Sequence, residues 1–401
     1  MTSEERRESR YWRRKRKREV DKMLRSNECS DVTKVFGAEA LMDSFKKCTS
    51  SNRWKQSIQK FQSGLAVNCA NISDELLTNR YKNKPFKTFQ IIERGHKREV
   101  QSLDIRDMVV QGSFRDNLLH PLIRPLLVYD NGACLSGKGS GFALKRFVRH
   151  LSYHVRKFGV NGYIYFFDFK SFFSNIDKER LIWMTEKILH DITMRRYFSQ
   201  FINGYCEKGL GLGSSVSQIC AVYYPNALDH YIKDALQIEC YGRYMDDGYI
   251  ICENRNELKR IIDAVEKKCL EIGITLNKKK CKLIKLTRPF KFLKVRFSIS
   301  NTGKIIRKPN AKSNTIERRR LRKFKKLIED GIMQFDEVLK CFHSWLCSRS
   351  WCKCFYSDFT MVKYFNQLFS SYGYYHFSKI RTRKQKVLQY ISRLALLGDS
   401  Q

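Results

Sequence analysis

The sequence predicts an α+β fold: an antiparallel sheet with acids at its strand ends, surrounded by helices. Three stretches lead there. Ile238-Glu239-Cys240-Tyr241-Gly242-Arg243 and Gly248-Tyr249-Ile250-Ile251-Cys252 are rich in β-branched and aromatic residues. They flank a short polar tip, Tyr244-Met245-Asp246-Asp247, which is the pattern of a tight β-hairpin. Gly162-Tyr163-Ile164-Tyr165-Phe166-Phe167 is an apolar aromatic run that reads as a buried strand, and it ends on Asp168. After Arg307-Lys308-Pro309, the residues Ile316, Phe324, Leu327 and Ile328 recur near helical spacing beside Arg318-Arg319-Arg320 and Arg322-Lys323.

In chain order, residues 1–30 form an arm around Arg13-Arg14-Lys15-Arg16-Lys17-Arg18. Such a run is either a solvated helix or disordered arm, or an RNA-binding arm whose contacts include Arg13, Arg14 and Arg16. Ser136-Gly137-Lys138-Gly139-Ser140-Gly141 lacks full Walker spacing and reads as a flexible loop before a helix. Phe169-Lys170-Ser171-Phe172-Phe173-Ser174-Asn175-Ile176-Asp177 is a turn entering a helix. The helix beginning after Pro309 has a basic face opposite an apolar one, suited to lie against a duplex read by shape and backbone. No internal repeat is visible.

The chemistry lies in the acids. Two adjacent carboxylates on a hairpin tip repel one another unless a cation joins them. An acid ending a buried strand is costly unless paired or metal-bound. Asp168 and Asp246, from distant segments, are suited to clamp two metal ions about 3.5–4 Å apart. Hard cations such as Mg²⁺ use few protein carboxylates and leave the rest of their shell to phosphates and water.

On these residues the chain resembles a reverse transcriptase. Asp168 through Phe173 is similar to the family's first catalytic palm motif, and Tyr244 to Asp247 to the second. Arg94-Gly95-His96-Lys97-Arg98-Glu99-Val100, followed by Ile105 to Gln111, resembles the fingers motifs, with Lys97 and Arg98 suited to phosphate oxygens. Ser136 to Gly141 resembles the family's glycine-rich fingers segment. Gly209-Leu210-Gly211-Leu212-Gly213-Ser214-Ser215-Val216-Ser217-Gln218 resembles a further palm motif, with Leu212 in place of the usual Gln and Gln218 in place of the usual Pro. Leu276-Asn277-Lys278-Lys279-Lys280 and Phe290 to Val295 resemble the last palm motifs, with Lys294 where Gly is common. Phe342-His343-Ser344-Trp345-Leu346 resembles a thumb-helix signature. The resemblance runs from about Val35 to about Phe369 and is nearest to group II intron-like bacterial enzymes. Among these it is nearest to those of diversity-generating retroelements and the antiviral "unknown group".

The resemblance implies a right-hand polymerase fold: fingers at 31–160, palm at 161–300, thumb and basic tail at 301–401. It implies an RNA-directed DNA polymerase, a nucleotidyltransferase, with Asp168, Asp246 and Asp247 as catalytic and metal-holding residues for two Mg²⁺ ions, Mn²⁺ being the alternative. It implies that Lys97, Arg98, Phe173 and Gln218 meet the deoxynucleoside triphosphate. Phe173 would crowd a ribose 2′ hydroxyl, which argues against the alternative of an RNA-dependent RNA polymerase. The implied partners are an RNA template, an RNA–DNA duplex held partly by Arg318, Arg319 and Arg322, and a noncoding RNA or accessory protein. The other alternative, a noncatalytic RNA-binding protein of a retroelement, has no need of the three acids.

Composition agrees. There are 77 Lys+Arg against 40 Asp+Glu, and 77 − 40 gives +37. Such a field draws in polyanions, and the Tyr, Phe and Trp interleaved with the cations can stack on unpaired bases. With no long apolar run or secretory h-region, a membrane role is not expected. The 14 cysteines, scattered without paired spacing, read as reduced cytoplasmic thiols. Cys341, His343, Cys347, Cys352 and Cys354 are a zinc candidate, but they lack Cys-x-x-Cys pairs and lie among Trp345, Leu346, Trp351 and Phe355, which favours packed helices. No room is expected for a ribonuclease H domain.

Overall fold

The computed structural model describes residues 3–93, 96–204 and 207–375. Residues 376–401, the end of the thumb and basic tail expected at 301–401, lie outside these, as do the side chains of Arg14 and Arg98. The chain divides into two compact units. One runs up to His150 and resumes over Ile164–Leu283; the other comprises Leu151–Tyr163 and the chain from Ile284 onward.

The first unit opens with an exposed basic helix, Ser3–Cys29. β1 (Lys87–Glu93) and β2 (His96–Ser102) form an antiparallel hairpin in which Ile92 faces Lys97 and Gln90 faces Glu99. Next come β3 (Tyr163–Asp168), β4 (Tyr241–Tyr244), β5 (Asp247–Cys252) and β6 (Lys282–Lys285), in one sheet of order β4-β5-β3-β6. β3 is apolar on both faces because both are covered, which is why the sequence reads as a continuous run and not as an alternation. Gly248 of β5 has a local reason: a Cβ there would lie 2.1 Å from the Phe167 ring of β3. Only a bare backbone lets that ring cross. Beside the sheet, Phe36, Phe114, Tyr197 and Phe201 form an aromatic core with edge-on and stacked contacts at 5.1–6.2 Å.

The second unit holds a separate antiparallel sheet, β7 (Phe290–Phe292), β8 (Val295–Ile299) and β9 (Ile305–Pro309). Phe290, Phe292, Val295, Phe297 and Ile299 are buried, and the alternate residues are not. Helices Ser313–Glu329, Phe335–Ser348 and Phe355–Leu368 share a core of Leu321, Val338, Phe342, Met361, Phe365 and Phe369. The second of these starts with a capping box between Gln334 and Glu337. The first helix forms where the spacing predicts, but its buried face differs. Leu321 is fully buried and Ile316 is 58 % exposed. Leu321, Phe324 and Ile328 lie on one face, and Ile316 falls roughly 140° away at 100° per residue.

Cys347 Sγ is 3.4 Å from His343 Nε2, and Cys354 Sγ is 3.2 Å and 3.3 Å from the two carboxylate oxygens of Asp358. Cys352 and Cys354 are buried in the unit. Among the described residues no group of three or more His, Cys, Asp or Glu is arranged to hold a metal ion.

Candidate active site

β4 and β5 are joined by the two residues Met245 and Asp246, with Tyr244 paired to Asp247 across the turn. Met245 takes φ 55° at the first central position, a conformation usually left to glycine. The residue just before the tip explains how it persists. Arg243 is fully buried, and its Nη1 donates to the Met245 carbonyl at 2.8 Å. Its Nε and Nη2 donate to the two oxygens of buried Asp229 at 2.8 and 2.6 Å, and Nη2 also donates to the Val222 carbonyl at 2.9 Å. Tyr241 donates its hydroxyl to Asp229 as well. The Arg243 backbone is held on both sides: its N–H donates to Asp130 and its carbonyl accepts from Gly132. Such a guanidinium cannot move without breaking a paired, desolvated network.

Asp168 ends β3 directly beside this tip. The Phe169 N–H donates to the Asp246 carbonyl at 3.3 Å. The Asp168 carboxylate is buried, accepts from Asn277 Nδ2 at 3.2 Å and pairs with Lys280 Nζ at 2.8 Å. Its carbonyl accepts from the Asn277 N–H at 2.8 Å, which fixes the whole Asn277–Lys280 turn to the strand end. Asp247, though solvent-exposed as a residue, has its carboxyl pushed up to about 6. Desolvation leads, followed by the charges of Asp246 and Asp168; Lys280 opposes them. The Lys280 ammonium is in turn raised, mainly by its hydrogen bond to Asp168.

This donor set fits a divalent cation. It is made of hard carboxylate oxygens, and it is short of positive charge, since one carboxyl resists ionisation and a lysine leans on another. It does not close into a three-ligand protein cage. That matches the mode in which one or two carboxylates share a metal ion with substrate phosphates.

A second layer flanks the acids. Phe172 is buried and packs on Phe169, while Phe173 is half-buried on the short helix Phe172–Asn175. The Phe173 carbonyl accepts from the Leu210 N–H at 2.8 Å, and the Leu212 carbonyl accepts from the Gln101 N–H of β2 at 3.0 Å. Gly213 makes that approach possible: it sits at φ 123°, and a Cβ would lie 2.3 Å from the Gln101 carbonyl oxygen. Ser214 then caps helix Ser215–Tyr223, accepting from Val216 and Ser217, and Gln218 stands exposed on its first turn. Lys97 is exposed on β2, four residues and about 13 Å from Gln101.

Residues 126–297 match the family model described as reverse transcriptase (RNA-dependent DNA polymerase). Over that stretch, 172 of 401 residues, the chain is similar to a reverse transcriptase domain. Its helices and antiparallel sheets agree with a right-hand polymerase fold. Solved telomerases resemble it distantly. Apo telomerase from Candida tropicalis, truncated from its C-terminal domain, is 13% identical with a TM-score of 0.44, over 59% of this chain and 59% of that one. Telomerase from Candida albicans, with a TWJ fragment of telomeric RNA, is 13% identical with a TM-score of 0.47, over 74% of this chain and 57% of that one. The chain thus spans under two thirds of the length of either telomerase. No curated protein matches by sequence.

The matched stretch contains Asp168, Phe173, Gln218, Arg243, Asp246, Asp247 and Lys280. Lys97 and the outlying arginines fall beyond the matched stretch. Arg13 and Arg16 are exposed on helix Ser3–Cys29. In the second unit Arg319 is exposed, whereas Arg318 stacks over Tyr364 at 5.2 Å and Arg322 Nε donates to the Tyr364 hydroxyl at 3.1 Å. The site residues expected from sequence did not include Arg243, Asp229, Asn277 or Lys280. The signals were a charged residue inside the β4 strand, where water is excluded, and the resemblance of Leu276–Lys280 to a palm motif.

Proposed function

We propose that the chain polymerises DNA on an RNA template at Asp168, Asp246 and Asp247. The observation that carries this reading is the meeting of these three carboxylates at two strand ends inside the matched domain. Asp168 and Asp246 would hold divalent metal ions, Mg²⁺ or alternatively Mn²⁺, with Asp247 beside them. When bound, such ions activate the primer hydroxyl and neutralise the leaving pyrophosphate. The residues of the chain itself have distinct tasks. Arg243 fixes the turn and so the height of Asp246. Asn277 orients the Asp168 carboxylate. Lys280 holds a proton and a positive charge within 2.8 Å of Asp168. The Phe173 ring limits space at the sugar and favours deoxynucleotides, while Gln218 and Lys97, with Arg98, serve the base and triphosphate ends.

The finer reading concerns the template. The Ser217-Gln218 ending supports a diversity-generating or phage-defence enzyme that copies a dedicated structured RNA, with a noncoding RNA or an accessory protein as partner. Fingers at 31–160, palm at 161–300 and thumb from 301 onward organise it. The exposed Arg13, Arg16 and Arg319 add backbone contacts. The 14 cysteines, scattered without paired spacing, support a reducing cytoplasm. Among the described residues no helix is long and apolar enough to cross a membrane.

Two measurements test these statements. Purified protein should extend a DNA primer on RNA with deoxynucleotides and Mg²⁺; extension only with ribonucleotides would establish the RNA polymerase alternative. Sequencing of RNA bound to the purified protein should return one dominant folded species, and a random sample of cellular RNA would remove the dedicated-template reading.

A further inference from the structure

The glycine-rich segment 136–141, expected to be a flexible loop, opens with a hydrogen-bonded turn that aims its lysine inward. The Lys138 N–H donates to the Leu135 carbonyl at 2.9 Å, and Gly137, third of the four turn residues, takes φ 75°. A positive φ at that position suits glycine. The half-buried Lys138 side chain folds back over the residues before the turn. Its Nζ donates to the Tyr129 carbonyl at 2.8 Å and to the Asn131 carbonyl at 3.0 Å. It also lies over the Tyr129 and Phe142 rings, 5.1 and 5.0 Å from their centroids. Burial holds this ammonium below the usual lysine value, with Asp130 opposing.

The two carbonyls belong to a stretch that supports the catalytic turn. β4 is the end strand of its sheet, and residues 130–132 lie along its free side. The Arg243 N–H donates to the Asp130 carbonyl at 3.2 Å, and the Gly132 N–H donates to the Arg243 carbonyl at 2.9 Å. The Tyr129 and Asn131 carbonyls flank that of Asp130 in sequence and go to Lys138 instead. One ammonium thus stands where a further strand would pair. Two residues on from Gly132, Cys134 Sγ lies 3.8 Å from Met245 Sδ. Met245 is the residue held at φ 55° beside Asp246. Residues 129–134 therefore touch the catalytic hairpin at both Arg243 and Met245, and Lys138 fixes them from the other side. Water would satisfy either carbonyl. It would not tie both to an anchored turn, and so would not resist a shift of the stretch.

We propose that Lys138 is a positioning residue for the polymerase reaction: it braces residues 129–131 against β4 and so sets the height of Asp246 through Arg243 and Met245. The proposal rests on the polymerase reading above. It gives Lys138 no contact with nucleotide or template.

The test uses the full chain. Lys138→Met keeps the aliphatic stem and removes the donors. In single-turnover primer extension on an RNA template the maximal rate should fall about 10²-fold, the scale of a misplacement of about 1 Å. The half-saturating deoxynucleotide concentration and the hybrid affinity should stay near native. A raised half-saturating concentration at native maximal rate would make Lys138 a triphosphate contact, and weaker hybrid binding at native maximal rate a template contact. Either result overturns the proposal. Lys138→Arg keeps the charge and donors and should recover most of the rate; an arginine variant as slow as the methionine one would also overturn it. Where Lys138→Met fails to fold, Lys138→Gln, which keeps one donor group, carries the same readings.

A second readout does not depend on synthesis. Maleimide labelling of Cys134, resolved by peptide mass spectrometry, should be several-fold faster in folded Lys138→Met than in the native chain. Cys347, the other exposed thiol among the described residues, should label as in the native chain. An equal rise at Cys347 would report general loosening and overturn the proposal. If the native chain makes no DNA, the polymerase reading falls and labelling alone judges the brace: faster labelling of Cys134 upholds it, and a native rate overturns it. Synthesis by the native chain with a native rate in Lys138→Met keeps the polymerase reading and removes the proposal.

Discussion

Arg243→Met tests what holds the catalytic turn. Methionine fills much of the space but removes every donor. Asp229 is then a buried carboxylate with only the Tyr241 hydroxyl left to it, because its two arginine contacts at 2.8 and 2.6 Å are gone. Breaking a buried pair on one side costs about 3–5 kcal/mol. Part of that is the loss of donors to the Val222 and Met245 carbonyls. Urea unfolding should show a drop of this size, and primer extension should fall with it. The double variant Arg243→Met, Asp229→Leu separates the two effects. Removing both charges should recover most of the stability, since a buried pair is often replaceable by apolar groups. Extension should stay low, because Met245 at φ 55° still lacks the donor that fixes it. A loss of stability under about 1 kcal/mol for the single variant, an ordinary surface-scale change, would refute the energetic reasoning. Full extension by the double variant would refute the positioning role.

Three further outcomes follow from the geometry. Phe173→Ala should raise ribonucleotide relative to deoxynucleotide incorporation, read from paired single-nucleotide extensions; an unchanged ratio would move sugar selection elsewhere. Gly213→Ala should cost at least about 1–3 kcal/mol in urea unfolding, since its Cβ meets the Gln101 carbonyl and its φ is unfavourable for a side chain; a neutral result would mean that the loop shifts freely. His150 sits in a buried network where Arg146 Nη2 approaches its Nε2 at 3.2 Å and the Tyr249 hydroxyl its Nδ1 at 2.9 Å, and burial first of all pushes it down to about 4. The unfolded chain binds that proton near 6.5. Stability is therefore complete above about pH 6.5 and falls as pH drops toward 4, by about 3 kcal/mol from this group; a His150→Gln chain that keeps the same pH slope in this window would contradict the assignment.

The parts of this molecule that were legible in the sequence are those made by neighbours. The β4-β5 tip and the strand ending on Asp168 follow from runs of β-branched and aromatic residues and from short turn chemistry, all within a few positions. The helix from Ser313 was legible as a helix, but its buried face was not. Ile316 and Leu321 are both good core residues by composition, and only packing against helices Phe335–Ser348 and Phe355–Leu368 decides between them. Arg243 reads as a polar residue on a hairpin arm; that it is buried depends on Asp229, 14 residues earlier, reaching back to it. Lys280 is 112 residues from Asp168, and no periodicity joins them. Arg318 and Arg322 look like free cations until Tyr364 of another helix is placed beside them.

The central claim is that Asp168 and Asp246 perform the chemistry of RNA-templated DNA synthesis. Single-turnover extension of a DNA primer on an RNA template, titrated with Mg²⁺, tests it most directly. Asp168→Asn and Asp246→Asn should each keep hybrid affinity and the unfolding midpoint close to native while the rate at saturating metal falls about 10³-fold or more, the scale of several kcal/mol of lost transition-state stabilisation. Near-native rates from either folded variant would contradict the account.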